Sequence, residues 1–313
     1  MKLYLGIDIG SISAKGALID QGGAVRASCY MRTNGKPIEA TKNVLRQLRD
    51  ACGERPLAGA ATTGSGRKLA GIMIGADIVK NEIIAHAVAA ARVCSEVHSI
   101  IEIGGQDSKF IMIRDGIPVD FAMNTVCAAG TGSFLDHQAD RLDIPIERFG
   151  ELALHARNPT HIASRCTVFA ESDMIHKAQL GVALDDIVAG LCDGIVRNYL
   201  GTVAKGKQIV PPVFFQGGVA ANVGVRRAFE KALGLEVVVP EHFLTMGALG
   251  AALLALRHAP AASLFIGFDA CEACSFESRG FNCGGCHNGC EIVEALRDGR
   301  IVARYGGLCQ RWH

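Results

Sequence analysis

Few aromatic residues, almost no net charge and no long apolar run characterise this sequence of 313 residues. Aromatic side chains make up only 6% of it, so we expect a core built from aliphatic side chains. Lysine plus arginine total 32 against 31 aspartates plus glutamates, which gives no electrostatic reason to expect a nucleic-acid partner. The longest apolar run, 244–256, is shorter than the roughly 18 residues needed to cross a bilayer, which argues against membrane insertion.

Cysteine, in contrast, is plentiful, with 12 residues. The chain starts Met1–Gly6 and enters a predicted strand directly rather than a signal segment, so we expect a cytoplasmic protein. In that reducing compartment, closely spaced cysteines indicate metal binding more often than disulfides. The length indicates two domains with ample core.

One short segment, residues 124–134, combines a cysteine with a turn of small residues. Its sequence reads Asn-Thr-Val-Cys-Ala-Ala-Gly-Thr-Gly-Ser-Phe, and a helix is predicted from Phe134 to Leu142. Small residues let a ligand approach the backbone, and a helix start favours a phosphate, a thiolate or an iron–sulfur cluster. We therefore predict phosphate contacts at 130–132 (Gly130, Thr131 and Gly132) and a metal centre at Cys127.

Two hairpins of similar sequence form an internal repeat. Residues 8–11 and 102–105 each carry an acid, an isoleucine, a glycine and a small residue after a buried strand, and Lys15 and Lys109 each follow the acid by seven residues. Glycine removes bulk, N–H and hydroxyl groups bind phosphate oxygens, and a carboxylate binds Mg²⁺ through water. One such hairpin alone is equally consistent with an ordinary capped turn. Two facing each other predict a clamp on a single polyphosphate.

Two further segments carry glycines or a cysteine before a predicted helix. The strand 210–215 leads into a glycine turn, 217–222, that suits an adenosine, although an ordinary strand–helix turn explains this segment better when it is taken alone. Cys166 precedes a helix predicted at 171–179, and a long helix is predicted at 184–204.

The composition changes after residue 259, where cysteines occur in close groups. The candidate metal ligands of this tail are Cys271, Cys274, Cys283, Cys286, Cys290 and Cys309. Such spacing predicts a metal site and is compatible with zinc or with an iron–sulfur cluster.

Together these motifs resemble the ATPase activators of 2-hydroxyacyl-CoA dehydratases and the ATP-binding subunits of benzoyl-CoA reductases. The resemblance covers residues 6–256 and is most specific at 124–132, 166–171 and 217–222. It implies an α/β fold with two ribonuclease-H-like lobes of the actin, sugar kinase and Hsp70 superfamily. We expect these lobes at 1–98 and 99–258, followed by a small Cys-rich metal-binding tail at 259–313.

The resemblance also implies an ATP or ADP site with Mg²⁺. Asp8 and Asp107 would be its catalytic residues. The phosphate and adenosine contacts implied in this way are Gly10, Ser11, Ser13, Lys15, Gly104, Gly105, Gln106, Gly217, Gly218, Val219 and Asn222.

In the family, cysteines matching Cys127 and Cys166 ligate one 4Fe–4S cluster shared across a homodimer. The resemblance implies that ATP drives an electron from this cluster into an iron–sulfur acyl-CoA dehydratase or reductase component. Ferredoxin or flavodoxin would be the electron source. Two thiolates from each subunit make four, the usual number for a cubane cluster.

Two other functions remain open from the sequence alone. A small-molecule kinase of the same superfamily would need a catalytic base, for which Asp107 is available, and a polar substrate pocket that the sequence does not display. A nucleotide-gated metal-binding scaffold would use the tail cysteines and would not be an enzyme.

Overall fold

The computed structural model describes residues 2–53, 55–124 and 127–312. Thr125 and Val126, which belong to the predicted cysteine motif, lie outside the described residues. The chain forms two compact units: Met1–Ala89 together with Gly247–His313, and Ala90–Met246.

The elements below are numbered in chain order. The strands are β1 Leu3–Ile9, β2 Ser13–Asp20, β3 Val25–Arg32, β4 Leu57–Thr63, β5 Ile78–Val79, β6 Ser99–Ile103, β7 Ser108–Arg114, β8 Ile117–Asn124, β9 Val213–Gln216, β10 Val237–Val238, β11 Phe276–Asn282, β12 Glu291–Arg297 and β13 Arg300–Tyr305. The helices are α1 Pro37–Cys52, α2 Arg67–Ile74, α3 Glu82–Val93, α4 Gly132–Arg141, α5 Ile146–Leu154, α6 Thr167–Gln179, α7 Leu184–Gly201, α8 Val223–Leu233, α9 Met246–His258 and α10 Phe268–Ala273. Short 3-10 turns occupy Ala128–Gly130, Gly218–Ala221 and Gln310–Trp312.

The two five-stranded sheets have the same topology, which confirms the internal repeat. The first has the order β3-β2-β1-β4-β5, and the second has the order β8-β7-β6-β9-β10. In each sheet a hairpin of antiparallel strands precedes two strands that add in parallel. β1 is paired on both sides and is buried along its whole length, which explains its continuous apolar sequence.

The lysine spacing in the repeat follows from the hairpin register. Asp8 lies directly opposite Lys15 across the β1–β2 pair, and Glu102 lies directly opposite Lys109 across the β6–β7 pair. Opposite charges at such cross-strand positions attract each other. Two equal registers therefore place one acid–lysine pair at the same position in each sheet.

Helix α9 returns to the first unit, so the division of the chain differs from the predicted boundaries at 98 and 258. A β-carbon on Gly6 of β1 would collide with the carbonyl oxygen of Ala248, and one on Gly250 would collide with the carbonyl oxygen of Ala85 in α3. These small residues let backbones approach closely, so α9 packs against β1 and α3. The chain therefore enters the second unit within α3 and leaves it at the start of α9.

The tail packs on the first unit and is not a separate domain. Its strands β11, β12 and β13 form a small antiparallel sheet. Cys271 and Phe276 are buried in the hydrophobic core that includes residues of α1 and α2. The Lys42 ammonium of α1 donates to the carbonyl oxygens of Glu272 at 3.0 Å and Cys274 at 2.7 Å. The tail is too short to form a hydrophobic core of its own, and its apolar side chains pack into the core of the first unit instead.

Several elements differ from the sequence prediction. Helix α6 begins at Thr167, directly after Cys166 and four residues before the predicted start at Glu171. Helix α2 and strand β8 were not predicted at all. Strand β8 lies at the edge of its sheet and exposes Ile117 and Phe121. Because these apolar residues face outward, the sequence does not follow the usual rule that apolar residues of a strand are buried.

Candidate functional site

The first hairpin holds a buried carboxylate at the end of β1. The Asp8 carboxylate lies 3.1 Å from the Lys15 ammonium, and the turn is closed by the Gly10 N–H donating to the Ser13 carbonyl oxygen at 2.9 Å. Ser11 is exposed at the tip, whereas Ser13 is buried. The exposed tip and its backbone groups are the part of this hairpin that a phosphate would reach.

Two glycines make room for the Asp8 carboxylate. A β-carbon on Gly64 would collide with Asp8 Oδ1, and one on Gly247 would lie 2.5 Å from Asp8 Oδ2. The same β-carbon on Gly247 would lie 3.4 Å from His86 Nε2, which places the imidazole beside this carboxylate. Sequence reasoning gave His86 and Gly247 no role, because both residues reach Asp8 only through the packing of α3 and α9.

The second hairpin repeats this turn but carries one more charge. Here the Gly104 N–H donates to the Asp107 carbonyl oxygen at 3.0 Å. The Lys109 ammonium lies 3.0 Å from the Glu102 carboxylate and 2.8 Å from the Asp107 carboxylate. Burial opposes the charged form of Lys109, but the two carboxylates more than offset it, so the pKa of Lys109 is above its ordinary value.

The glycine turn after Cys127 is bonded to this second hairpin. The Gly132 N–H donates to the Gly104 carbonyl oxygen at 2.8 Å, and the Ser133 N–H donates to the Gly105 carbonyl oxygen at 2.9 Å. Thr131 is fully buried, and a β-carbon on Gly130 would lie 2.7 Å from Asn198 Oδ1. The backbone of this turn is therefore bonded to the second hairpin, and the phosphate contacts predicted for residues 130–132 stay a prediction. The small size of these residues serves close packing between two loops.

Cys127 and Cys166 lie in neighbouring loops of the second unit. The Cys127 thiol is 3.8 Å from the Arg165 carbonyl oxygen, and Cys166 is the residue directly before α6. Both side chains are half-buried. The Asn124 side chain accepts from the Cys127 N–H at 2.9 Å and donates to the Cys127 carbonyl oxygen at 2.8 Å, which fixes the cysteine backbone.

Asn198 of α7 joins the two cysteine loops, and sequence reasoning missed it. Its side-chain amide donates to the Ser164 carbonyl oxygen at 2.6 Å, while its Oδ1 packs against Gly130. Asn198 is buried, and it comes from a helix distant in sequence from both loops. No local sequence signal marks such a long-range contact.

The glycine turn after β9 packs against Glu102 of β6, in the second hairpin. Gly217 has φ +86°, and a β-carbon there would lie 2.8 Å from Glu102 Oε1, so only glycine fits without strain. Gly218 is exposed and Val219 is buried. Asn222 caps α8 by accepting from the Val225 N–H at 3.0 Å.

The tail cysteines occupy unlike environments. Cys271 is buried, and burial raises the pKa of its thiol to about 12. The Cys283 sulfur accepts from Trp312 Nε1 at 3.1 Å and from the Gly285 N–H at 3.4 Å, and these bonds lower the pKa of Cys283.

The remaining tail cysteines lie nearer the surface. Cys286 and Cys309 are exposed, and the Cys283 N–H donates to the Cys290 carbonyl oxygen at 2.8 Å. Cys274 is half-buried, and its carbonyl oxygen accepts from Lys42. Within residues 2–53, 55–124 and 127–312, the structure brings together no three His, Cys, Asp or Glu side chains able to hold a metal ion. The tail metal stays a prediction.

Among the described helices, none combines the length and the apolar character needed to cross a membrane.

Comparison with known proteins gives a consistent picture. The model of the BadF/BadG/BcrA/BcrD ATPase family matches residues 5–255. The (R)-2-hydroxyglutaryl-CoA dehydratase activating ATPase of Acidaminococcus fermentans is 37% identical over 262 residues, which cover 83% of this chain and 99% of that protein. The activator of lactoyl-CoA dehydratase of Anaerotignum propionicum is 34% identical over 258 residues, covering 82% and 98% of the two chains.

A solved structure shows the same fold. The activator of the 2-hydroxyisocaproyl-CoA dehydratase from Clostridium difficile, solved with bound ADPNP, aligns with a TM-score of 0.77 at 33% identity. The alignment covers 82% of this chain and 95% of that one. The predicted α/β fold is thereby confirmed.

Proposed function

This chain belongs to the BadF/BadG/BcrA/BcrD ATPase family, and from that premise we propose that it is an ATP-dependent one-electron donor. Its acceptor is an iron–sulfur component of the 2-hydroxyacyl-CoA dehydratase or benzoyl-CoA reductase type. Its own electron comes from a ferredoxin or flavodoxin. The observation that carries this proposal is the direct hydrogen bonding between the turn after Cys127 and the second hairpin, Gly132 N–H to Gly104 carbonyl oxygen at 2.8 Å.

The residues of the hairpins fit a magnesium nucleotide. Each hairpin offers a carboxylate, Asp8 or Asp107, and an exposed tip residue, Ser11 or Gln106. These groups would bind phosphate oxygens and the hydrated Mg²⁺. The side-chain Nδ2 of Asn222 is buried without a partner among the described atoms, so it is a donor available to a ribose hydroxyl.

The cysteine loops fit half of a cubane iron–sulfur cluster. Cys127 and Cys166 give two half-exposed thiols in adjacent loops, and α6 begins directly after the second of them. A helix start stabilises the negative charge of the thiolates. A bound 4Fe–4S cluster would supply one-electron redox chemistry. Asn198 and Asn124 would hold the two ligand loops in place.

A second copy of the chain would complete this ligand set. Four thiolates are the usual requirement, and the two cysteine loops of one chain supply two of them. The first turn of α6, next to Cys166, also exposes Val168 and Phe169 by 67% and 70%. Such apolar side chains favour burial against a partner surface. We therefore propose a homodimer that joins at these loops.

Anaerobic purification followed by iron analysis tests the cluster. We expect about four irons per dimer, and we expect Cys127→Ser and Cys166→Ser each to lose this iron because each removes half of the four ligands. The two variants should still hydrolyse ATP. Cys94→Ser, which changes a half-buried thiol elsewhere, is the matched control and should keep the iron. About four irons per monomer, or iron retained in both variants, would contradict the shared site.

Electron transfer is tested separately. The purified protein, reduced ferredoxin or flavodoxin and a candidate dehydratase component are mixed with ATP or with a non-hydrolysable analogue. We expect activation of the dehydratase only with ATP. If the dimer contains iron but activates the dehydratase equally with ATP and with the analogue, ATP hydrolysis does not drive the transfer.

A further inference from the structure

Lys109 is buried between two carboxylates of the second hairpin. Its side chain is 5% exposed, and its ammonium lies within 3.0 Å of both Glu102 and Asp107. Glu102 is also buried, whereas the Asp107 side chain is 36% exposed. The ammonium is therefore held inside the protein, and one of its two partners reaches the surface.

The corresponding lysine of the first hairpin is placed differently. Lys15 faces Asp8 in the same register and is 18% exposed. The residue that corresponds to Asp107 is Ser13, which carries no charge. The repeat has therefore diverged at one position, and only the second hairpin has a carboxylate there for its lysine to hold.

The contact with Lys109 determines how the Asp107 carboxylate is oriented. Its Oδ2 is bonded to the Lys109 ammonium at 2.8 Å, and a β-carbon on Gly104 would lie only 3.0 Å from its Oδ1. Its backbone carbonyl is fixed by the Gly104 N–H. One carboxylate oxygen, Oδ2, and the backbone carbonyl are thus positioned by the hairpin itself.

The charges of this group favour a cation. Glu102 and Asp107 contribute two negative charges and Lys109 contributes one positive charge, so the three together carry one net negative charge. A hydrated Mg²⁺ is held through oxygen ligands and their bound waters, and its geometry tolerates little displacement of those ligands. A carboxylate that is free to rotate would bind it less well than an oriented one.

We propose that Lys109 is a positioning residue for ATP hydrolysis, whose ammonium orients the Asp107 carboxylate toward the hydrated Mg²⁺ of the nucleotide. This role rests on the proposed function of Asp107 in Mg-ATP binding. Glu102 anchors the ammonium from the buried side. Lys109 touches neither nucleotide nor metal and acts through Asp107.

The main difficulty in testing this role is that Lys109 also neutralises Glu102. Removal of Lys109 alone leaves a buried unpaired carboxylate, which is strongly destabilising. The double variant Lys109→Met/Glu102→Gln removes both charges and keeps side chains of similar size. Lys207→Met is the matched control, because Lys207 forms an ion pair of the same kind, with Asp120 at 2.7 Å, on the same unit.

The experiment measures ATP hydrolysis against Mg²⁺ concentration, nucleotide affinity without Mg²⁺, and thermal unfolding. For the double variant we expect a folded protein whose affinity for Mg²⁺-free nucleotide changes less than about threefold. We expect its half-maximal Mg²⁺ concentration to rise by roughly 10-fold or more, as is usual when an outer-shell partner is removed. Lys207→Met should keep the wild-type Mg²⁺ dependence.

The outcomes separate the role of Lys109 from the proposed function. A folded double variant with wild-type Mg²⁺ dependence would show that Lys109 only balances Glu102, and would overturn the positioning role. A wild-type protein without any Mg²⁺-dependent nucleotide binding or hydrolysis would overturn the proposed function as well. If the methionine variant does not fold, Lys109→Gln/Glu102→Gln replaces it. The shorter, uncharged amide is expected to give the same shift, and an unchanged Mg²⁺ dependence overturns the role.

Discussion

Ser133 and Gly105 are joined by two hydrogen bonds to a single oxygen atom. The backbone N–H of Ser133 donates to the Gly105 carbonyl oxygen at 2.9 Å, and the Ser133 hydroxyl donates to the same oxygen at 2.6 Å. Gly105 belongs to the second hairpin, and Ser133 follows the turn that begins at Cys127. A shift of the hairpin would therefore pull directly on the cysteine loop.

Ser133→Ala should weaken this connection without removing either site. The loss of one hydrogen bond costs about 0.5–1.5 kcal/mol, so the protein should fold, hydrolyse ATP and retain iron. Because the nucleotide acts on the hairpin, we expect bound ATP to make the cluster iron easier to chelate, and we expect Ser133→Ala to reduce this difference between the ATP-bound and nucleotide-free protein. The chelation rate is followed by absorbance under anaerobic conditions.

Ser172→Ala is the control for that experiment, because its hydroxyl bonds to the Val168 carbonyl oxygen within α6 and does not reach the hairpin. It should leave the nucleotide effect on chelation unchanged. An undiminished nucleotide effect in Ser133→Ala would rule out this connection as the path of coupling.

Asn198→Leu should separate the cysteine loops from the nucleotide site. The substitution leaves the Ser164 carbonyl oxygen without its 2.6 Å donor, a loss of about 1–3 kcal/mol for a buried group. Since Asn198 also packs on Gly130, we expect iron content to fall at least about threefold while ATP hydrolysis persists.

Thr202→Val tests whether any weakening of α7 has this effect, since the Thr202 hydroxyl bonds to the Asn198 carbonyl oxygen at 2.7 Å. Iron should remain in this variant. Full iron content in Asn198→Leu would mean that the two loops keep their positions without the asparagine.

Gly247→Ala should impair nucleotide hydrolysis through Asp8. The added β-carbon would lie 2.5 Å from Asp8 Oδ2, well inside contact distance, so the carboxylate must move. We expect the rate of hydrolysis to fall by roughly 10-fold or more, because a displaced ligand no longer meets the metal geometry. Gly201→Ala, where the added carbon meets nothing within 4 Å, should keep the wild-type rate. If the two variants hydrolyse ATP at the same rate, Asp8 is not part of the hydrolytic site.

Cys271 should prove to be a core residue rather than a ligand. Its thiol has a pKa of about 12 because it is buried, so it stays protonated at neutral pH and should resist alkylation until the first unit unfolds. Cys271→Ala should lower the free energy of unfolding by about 1 kcal/mol through a small cavity and should leave the metal content unchanged. If this variant loses zinc or iron, Cys271 is a metal ligand after all.

The tail metal is tested with single substitutions in the full chain. Removal of the tail would uncover the core around Cys271 and Phe276, so a truncated chain would confuse metal loss with unfolding. We expect Cys283→Ser and Cys290→Ser each to lose the tail metal, with Cys52→Ser as the control for a buried thiol elsewhere. Metal content unchanged in both ligand variants would exclude the site.

The sequence by itself determined the two hairpins and their repeat. An apolar strand such as β1, buried on both faces, has a sequence that identifies it locally, and the acid-to-lysine spacing of Asp8–Lys15 and Glu102–Lys109 encodes the hairpin register. These features depend on neighbours within a few residues.

Only the tertiary structure decided which residues support the sites. Asn198 reaches Ser164 from α7, and Gly247 reaches Asp8 from α9, across long separations in sequence. The turn at 130–132 bonds through its backbone to the second hairpin, a contact that no local pattern indicates. Cys271 matched a metal spacing, yet burial in the first unit placed it in the core. Burial and long-range hydrogen bonds arise when distant segments pack together, so no local pattern records them.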